Sequence, residues 1–195
     1  MTIDEVKLVV EGSTTWTCKK CEAKKHQNTG SIQESLTNEI SENNQAIFKP
    51  NIRIMQWNAD GIKLRSHELS ARLKSRDIDI CLVQESKLRP KKDKTPVVDG
   101  YIPIYRTDRP TITFGGLIIY ARKEIVYDKV GHAFKNATEV QCVKIKLARK
   151  RWLYLSNVYV PPPNSKGQVI NFEPEIIPTI DLSIICGDFN AHSPV

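Results

Sequence analysis

The run from Ile52 to Glu85 constrains the fold most. Ile52-Arg53-Ile54-Met55-Gln56-Trp57 carries the alternation of a strand, and Asn58-Ala59-Asp60-Gly61 breaks it with turn-forming residues. A helix is expected next, from about Ser66 to Arg76. Ser66 can cap it, and Leu69 and Leu73 are spaced four apart on one face. Ile78-Asp79-Ile80-Cys81-Leu82-Val83 then reads as a buried strand. Two strands joined by a helical crossover form a parallel pair. One strand leads into Asn58 and the other into Gln84-Glu85, so both polar ends are expected at the same rim of an α/β sheet.

Further strands are expected over residues 100–105, 115–121, 141–147 and 152–159. Val143-Lys144-Ile145-Lys146-Leu147 alternates apolar and polar residues, which implies an antiparallel portion with one solvated face. Pro161-Pro162-Pro163 ends the last of these, and Pro174 and Pro178 leave at most a short or kinked helix between Glu173 and Ile180. Leu182-Ser183-Ile184-Ile185 is a final short strand running into Cys186-Gly187-Asp188-Phe189-Asn190-Ala191-His192. By itself Gly187-Asp188-Phe189-Asn190 reads as a plain turn, because Gly, Asp and Asn all favour turns. It reads as chemistry only if Asn58, Glu85 and Tyr159, each at a strand end, meet Asp188 and Asn190 at one rim.

A chain of 195 residues with 40% hydrophobic residues suits one core plus a tail. The tail is assigned to residues 1–50, since Gln27 to Gln45 is dominated by polar residues, and the folded part is expected from Asn51 to Val195. Within the tail, Cys18 and Cys21 have the spacing of half a zinc site. His26 lies five positions on, but a zinc knuckle would then need a cysteine where Ser31 stands, so Cys18 and Cys21 read as a zinc-finger remnant or as ordinary surface thiols. Cys81, Cys142 and Cys186 lie in apolar runs, as reduced thiols do. No run approaches a membrane span and the start lacks a signal peptide, so an intracellular protein with no membrane partner is expected. For the same reason the acceptor pattern Asn136-Ala137-Thr138 is discounted.

The 29 Lys and Arg residues against 22 Asp and Glu give a net charge of +7, which favours polyanionic partners such as DNA without specifying a sequence. Lys87, Arg89, Lys91, Lys92 and Lys94 form one basic cluster, and residues 144–151 another; each reads equally as solvated loop charge or as phosphate contacts. At the rim, a hard cation such as Mg²⁺ takes one or two carboxylates and keeps waters for substrate phosphate. Glu85 would anchor such an ion, with Asp188 orienting or deprotonating an attacking water. Asn58 and Asn190 would position ligands without added charge, and Tyr159 would offer its hydroxyl to a phosphate oxygen.

Gln56-Trp57-Asn58, Val83-Gln84-Glu85-Ser86-Lys87-Leu88, Gly115-Gly116-Leu117-Ile118-Ile119, Asn157-Val158-Tyr159-Val160-Pro161 and Gly187-Asp188-Phe189-Asn190 together resemble the endonuclease/exonuclease/phosphatase superfamily. Within it the set is most similar to the apurinic-type endonuclease domain of non-LTR retrotransposons, over about Asn51 to Val195. The resemblance implies a two-sheet, DNase I-like α/β sandwich and Mg²⁺- or Mn²⁺-dependent nicking of DNA. It implies Glu85 and Asn58 in the metal shell and Tyr159, Asp188 and Asn190 as the catalytic group. It further implies a reverse transcriptase domain downstream and a nuclear location. His192 matches a common variant of its segment and carries no expected role.

The family pattern continues through roughly another third of a domain to a Ser-Asp-His segment, which these 195 residues do not contain. The expected sandwich is therefore incomplete at its C-terminus, and nicking by this chain alone is expected to be weak. Two other readings stay open: an inositol or other phosphate-ester phosphatase of the same superfamily, and a non-catalytic nucleic-acid-binding relic.

Overall fold

A computed structural model describes residues 3–9, 51–109, 115–147, 151–163, 174–178, 180 and 182–190. The strands are β1 (Ile3–Val9), β2 (Asn51–Asn58), β3 (Ile80–Gln84), β4 (Tyr101–Thr107), β5 (Leu117–Arg122), β6 (Tyr127–Lys135), β7 (Thr138–Lys146), β8 (Trp152–Tyr159) and β9 (Ser183–Asp188). A helix, α1 (Ser66–Ser75), links β2 to β3, and a single 3₁₀ turn covers Pro174–Ile176. One sheet has the order β1-β2-β3-β5-β4 and the other β6-β7-β8-β9. The expected crossover is present, with β2 parallel to β3, and β9 adds a second parallel pairing alongside β8.

Three layers of apolar side chains hold this two-sheet α/β sandwich together. Between the sheets, Ile54, Ile80, Leu82, Ile119 and Ala121 meet Val143, Ile145, Leu153, Leu155 and Cys186. On the outer face of the first sheet, Leu69 and Leu73 of α1 pack on Met55, Trp57, Cys81, Val83, Ile118 and Tyr120. The outer face of the second sheet carries a smaller cluster of Val140, Val158, Val160 and Ile177. Each fully buried aliphatic or aromatic side chain contributes about 1.5–3 kcal/mol relative to exposure. Strands β3 and β5, buried on both faces, accordingly read as near-continuous apolar runs.

Several expectations are corrected. The first sheet begins before Asn51, because Ile3–Val9 lies antiparallel to β2 with Ile3 opposite Trp57 and Val9 opposite Asn51. Ile3, Val6, Leu8 and Val9 supply strand-forming residues, but the long polar stretch that follows hides a pairing so distant in sequence. Ser66 is the first helical residue and not a cap; the capping position is Arg65, with no side-chain cap hydrogen bond. Strand β6 was not expected, since most of its residues are exposed and its sequence lacks alternation; its order comes from the antiparallel ladder with β7. In β7 the solvated face is confined to Lys144 and Lys146, because Ile177 and its neighbours cover the earlier residues. Cys18, Cys21 and His192 lie outside the described residues. Cys81, Cys142 and Cys186 form no disulfide, and burial alone pushes the Cys81 thiol above its ordinary range.

The inner faces change chemistry along the strand direction. In β2 the inward residues run Ile52, Ile54, Gln56, Asn58, and in β8 they run Leu153, Leu155, Asn157, Tyr159. Because strand side chains alternate with a period of two, each inward step is one step nearer the rim. An aliphatic floor thus gives way to a layer of buried amides and then to acidic and phenolic groups.

Candidate active site

The amide layer ties the two sheets together. Gln56 Nε2 donates to Gln84 Oε1 at 2.6 Å, and Gln84 Nε2 donates to Asn157 Oδ1 at 2.6 Å. Asn157 Nδ2 donates across to the Val83 carbonyl at 3.1 Å, while Gln141 Nε2 reaches Thr107 Oγ1 at 3.0 Å and the Leu117 carbonyl at 3.1 Å. All four amides are buried. A buried amide left without partners costs about 1–3 kcal/mol, so this network fixes how one sheet registers on the other. Gln56, Gln84 and Asn157 stand one or two residues before Asn58, Glu85 and Tyr159, so the register they impose aims those side chains.

Asn58, Glu85, Tyr159 and Asp188 meet at the rim. Asn58 Nδ2 donates to Glu85 Oε1 at 2.8 Å and to Asp188 Oδ2 at 2.6 Å, and Tyr159 donates its hydroxyl proton to Glu85 Oε1 at 2.9 Å. Asn58 Oδ1 accepts the backbone N–H of Asp60 at 3.0 Å. In this orientation the Asn58 amide bridges two carboxylates and turns its oxygen toward its own turn. Asp188 Oδ1 accepts the Asn190 backbone N–H at 3.0 Å, whereas the Asn190 side chain donates to the Val160 carbonyl at 2.8 Å. Asn190 therefore orients Asp188 through its backbone and uses its amide to brace the end of β8. Burial first, and then the adjacent Glu85 carboxylate, hold the Tyr159 phenol well above its ordinary value.

Left-handed backbone delivers several of these groups. Asp60, Glu85, Lys87 and Asn190 have φ of 46°, 50°, 51° and 44°. Non-glycine residues adopt this region at a cost of order 1 kcal/mol each, and here hydrogen bonds between loops over-determine it. Gly61 N–H donates to the Glu85 carbonyl at 2.8 Å, and Ser86 and Lys87 donate to the Gly116 and Gly115 carbonyls at 2.9 Å. Gly187 serves a different need: a Cβ there would lie 1.9 Å from the Val158 carbonyl oxygen, so only glycine lets β9 approach β8.

The sequence reading left out two groups. Lys87, counted there only as part of a basic cluster, stands 3.3 Å from Glu85 Oε2 and pairs closely with Asp60. The Asp60 partner, more than any other influence, raises the Lys87 ammonium above its ordinary value, and Lys87 in turn lowers Asp60. Their signal was local, since Asp60 is two residues past Asn58 and Lys87 two past Glu85. Arg109 and Glu139 form a second pair beside Tyr159, 2.7 Å apart, with Glu139 Oε2 accepting the Gly116 N–H at 2.9 Å. Burial raises the Glu139 carboxyl, and Arg109 partly offsets this. No local pattern marks a pair thirty residues apart.

The donor set suits a hard divalent cation. Oxygens of two carboxylates lie within 2.8 Å of one amide nitrogen, and an ion that keeps several waters needs one or two carboxylates. Among the described residues no group of three or more His, Cys, Asp or Glu side chains is placed to hold a metal by itself. Glu85 and Asp188 can thus share such an ion only if water or substrate oxygens complete its shell.

Comparison with curated proteins returned no match. Among solved structures, the chain is similar to an AP endonuclease from Archaeoglobus fulgidus (21% identity, TM-score 0.39, covering 56% of this chain and 41% of that one). It is also similar to D. rerio TDP2 complexed with single-strand DNA product (19%, TM-score 0.48, 73% and 62%). A third is the mannosyl-6-phosphatase of Bacteroides thetaiotaomicron (18%, TM-score 0.49, 71% and 65%). In each case the chain spans less than two thirds of the other's length. By sequence, residues 55–194 match one family over most of the chain, a span that holds Asn58, Glu85, Tyr159, Asp188 and Asn190. The chain belongs to the Endonuclease/Exonuclease/phosphatase family.

Proposed function

We propose that the rim of Asn58, Glu85, Tyr159 and Asp188 hydrolyses a phosphodiester of DNA, as the nicking site of a non-LTR retrotransposon endonuclease. The observation that carries this reading is the convergence of Glu85 and Asp188 on Asn58, with the Tyr159 hydroxyl on the same Glu85 oxygen. Members of the family generally use a divalent cation such as Mg²⁺. When bound, the ion supplies Lewis-acid polarisation of a phosphoryl oxygen. Glu85 would hold it, and Asn58 sets the spacing of Glu85 from Asp188.

The remaining chemistry belongs to the protein. Asp188, pinned by the Asn58 amide and the Asn190 N–H, aims a carboxylate oxygen to accept a proton from an attacking water. The high proton affinity of Tyr159 keeps its hydroxyl a donor, which can pass from Glu85 to a phosphate oxygen as charge builds there. Lys87 offsets part of the negative charge that the substrate would otherwise face. The +7 charge draws the polyanion to the surface. Further parts of the proposal are a nuclear setting, a reverse transcriptase domain in the parent polyprotein, and a zinc-finger remnant at Cys18 and Cys21.

The test follows supercoiled plasmid with Mg²⁺ and, in parallel, inorganic phosphate release from inositol phosphates. Expected is Mg²⁺-dependent nicking. Glu85→Gln or Asp188→Asn should lower it by about a hundredfold or more. Nicking indifferent to both substitutions refutes the site. Phosphate release without nicking moves the reading to a phosphatase, and salt-sensitive DNA binding with neither activity moves it to a binding protein.

A further inference from the structure

One row of the second sheet leads away from the carboxylates. Phe134 is opposite Glu139, Glu139 is opposite Tyr159, and Tyr159 is opposite Asp188. Directly opposed residues project from the same face, so these four side chains form a line of one residue per strand. With strands roughly 4.8 Å apart, Phe134 stands about 10 Å from Tyr159 and about 14 Å from Asp188.

Arg109, two residues past the end of β4 in the other sheet, fills the middle of the line. Its guanidinium carbon is 5.8 Å from the Tyr159 ring centroid and 5.4 Å from that of Phe134. Glu139 and the Ala137 carbonyl hold it, and only 13% of its side chain is exposed. Phe134 is 56% exposed. Its ring therefore rests on a fixed cation and leaves much of its surface open to solvent.

An aromatic ring backed by a guanidinium is the surface on which nucleobases stack. A separation of about 10 Å corresponds to some three stacked-base rises of ~3.4 Å, and to fewer nucleotides where the strand is unstacked. Within a regular duplex both faces of each base are already covered, so only an unpaired or splayed base can use such a ring. We propose that Phe134, positioned by Arg109, is a stacking ledge for an unpaired base close to the scissile phosphate. The site would then select single-stranded or locally distorted DNA over regular duplex. This inference rests on the DNA-hydrolysis reading above and adds the form of DNA that is selected.

The experiment measures binding of the full chain, without Mg²⁺ so that no strand is cut. The probes are fluorescein-labelled oligonucleotides that are single-stranded, fully paired, or paired with one bulged base. Wild type is expected to favour the single-stranded and bulged probes. Phe134→Ala should weaken binding to those two by about five- to a hundredfold, the worth of one stacked base, and leave the paired probe unchanged. Phe134→Trp should retain the preference, with its indole fluorescence quenched on binding. A Phe134→Ala protein that keeps the preference overturns the ledge, whatever its melting temperature does, because the ring would then only cover the Arg109–Glu139 pair. If wild type binds and nicks DNA while Phe134→Ala behaves as wild type, the ledge alone falls. If wild type binds no DNA and releases phosphate from small esters, the hydrolysis reading falls and takes the ledge with it.

Discussion

Replacing Asn58 by Asp tests the geometry of the site more sharply than deletion, since it keeps the shape and reverses the electrostatics. In the native protein one amide nitrogen donates to Glu85 at 2.8 Å and to Asp188 at 2.6 Å. Hydrogen bonds to charged groups contribute about 1.5–3 kcal/mol each, so losing both costs about 3–6 kcal/mol. The new carboxylate also meets two like charges, at up to about 4 kcal/mol per pair for an effective dielectric near 20, reduced by water at the rim. Repulsion from its two neighbours raises the proton affinity of the introduced carboxyl in the folded state. The penalty is therefore small at acid pH, where that carboxyl holds its proton, and grows as pH rises through its raised folded value. Denaturant titrations of Asn58→Asp should show a loss of about 3 kcal/mol or more near pH 8, shrinking toward pH 5. Mg²⁺ should recover stability in the variant by more than it adds to wild type. A loss under about 1 kcal/mol with no pH dependence would refute the convergence of Glu85 and Asp188 on this residue.

Gly115→Ala should destabilise by about 2 kcal/mol or more and lower the thermal midpoint, because the new Cβ would fall 2.1 Å from Glu139 Oε1 at a φ of 84°. A midpoint within a degree of wild type would sink that argument. At alkaline pH the protonated Tyr159 phenol is favoured in the folded state, so its contribution is fully present below its ordinary value of 10.0 and is lost as pH climbs toward the raised value. Tyr159→Phe should accordingly lose less stability than wild type over about pH 10 to 12, read from denaturant midpoints. The other phenols that burial raises, Tyr101, Tyr105 and Tyr120, are common to both proteins and cancel in the comparison.

Much of the architecture was legible because it is written in local patterns. The strand–helix–strand run from Ile52 produced the parallel β2–β3 pair, with α1 ending one residue short of expectation at Ser75. The apolar runs at residues 115–121 and 152–159 became β5 and β8 within a residue or two. The failures came where order is borrowed from a neighbour. Strand β6 has few buried side chains and exists through its ladder with β7, and β1 pairs with a partner more than forty residues away. The turn at Ser66 shows the reverse error: a good capping residue stood one position inside the helix, where it makes no cap.

Which residue types stand at the strand ends, and in what order, is already written along the chain. Period-two alternation is a property of the backbone, so Asn58, Tyr159 and Asp188 were bound to follow apolar inward residues of their own strands. How those ends face one another depends on the packing of the two sheets. Asn58 and Asp188, 130 positions apart, are brought to 2.6 Å by the stacking of two sheets. That stacking is set by the buried Gln56–Gln84–Asn157 amides, whose partners no local pattern names. The same holds for Arg109, which lies between Phe134 and Tyr159 only because one sheet covers the other. Local propensity acts over a few residues, whereas hydrogen bonds and ion pairs act through space, so the strand ends were readable from the chain and their meeting was not.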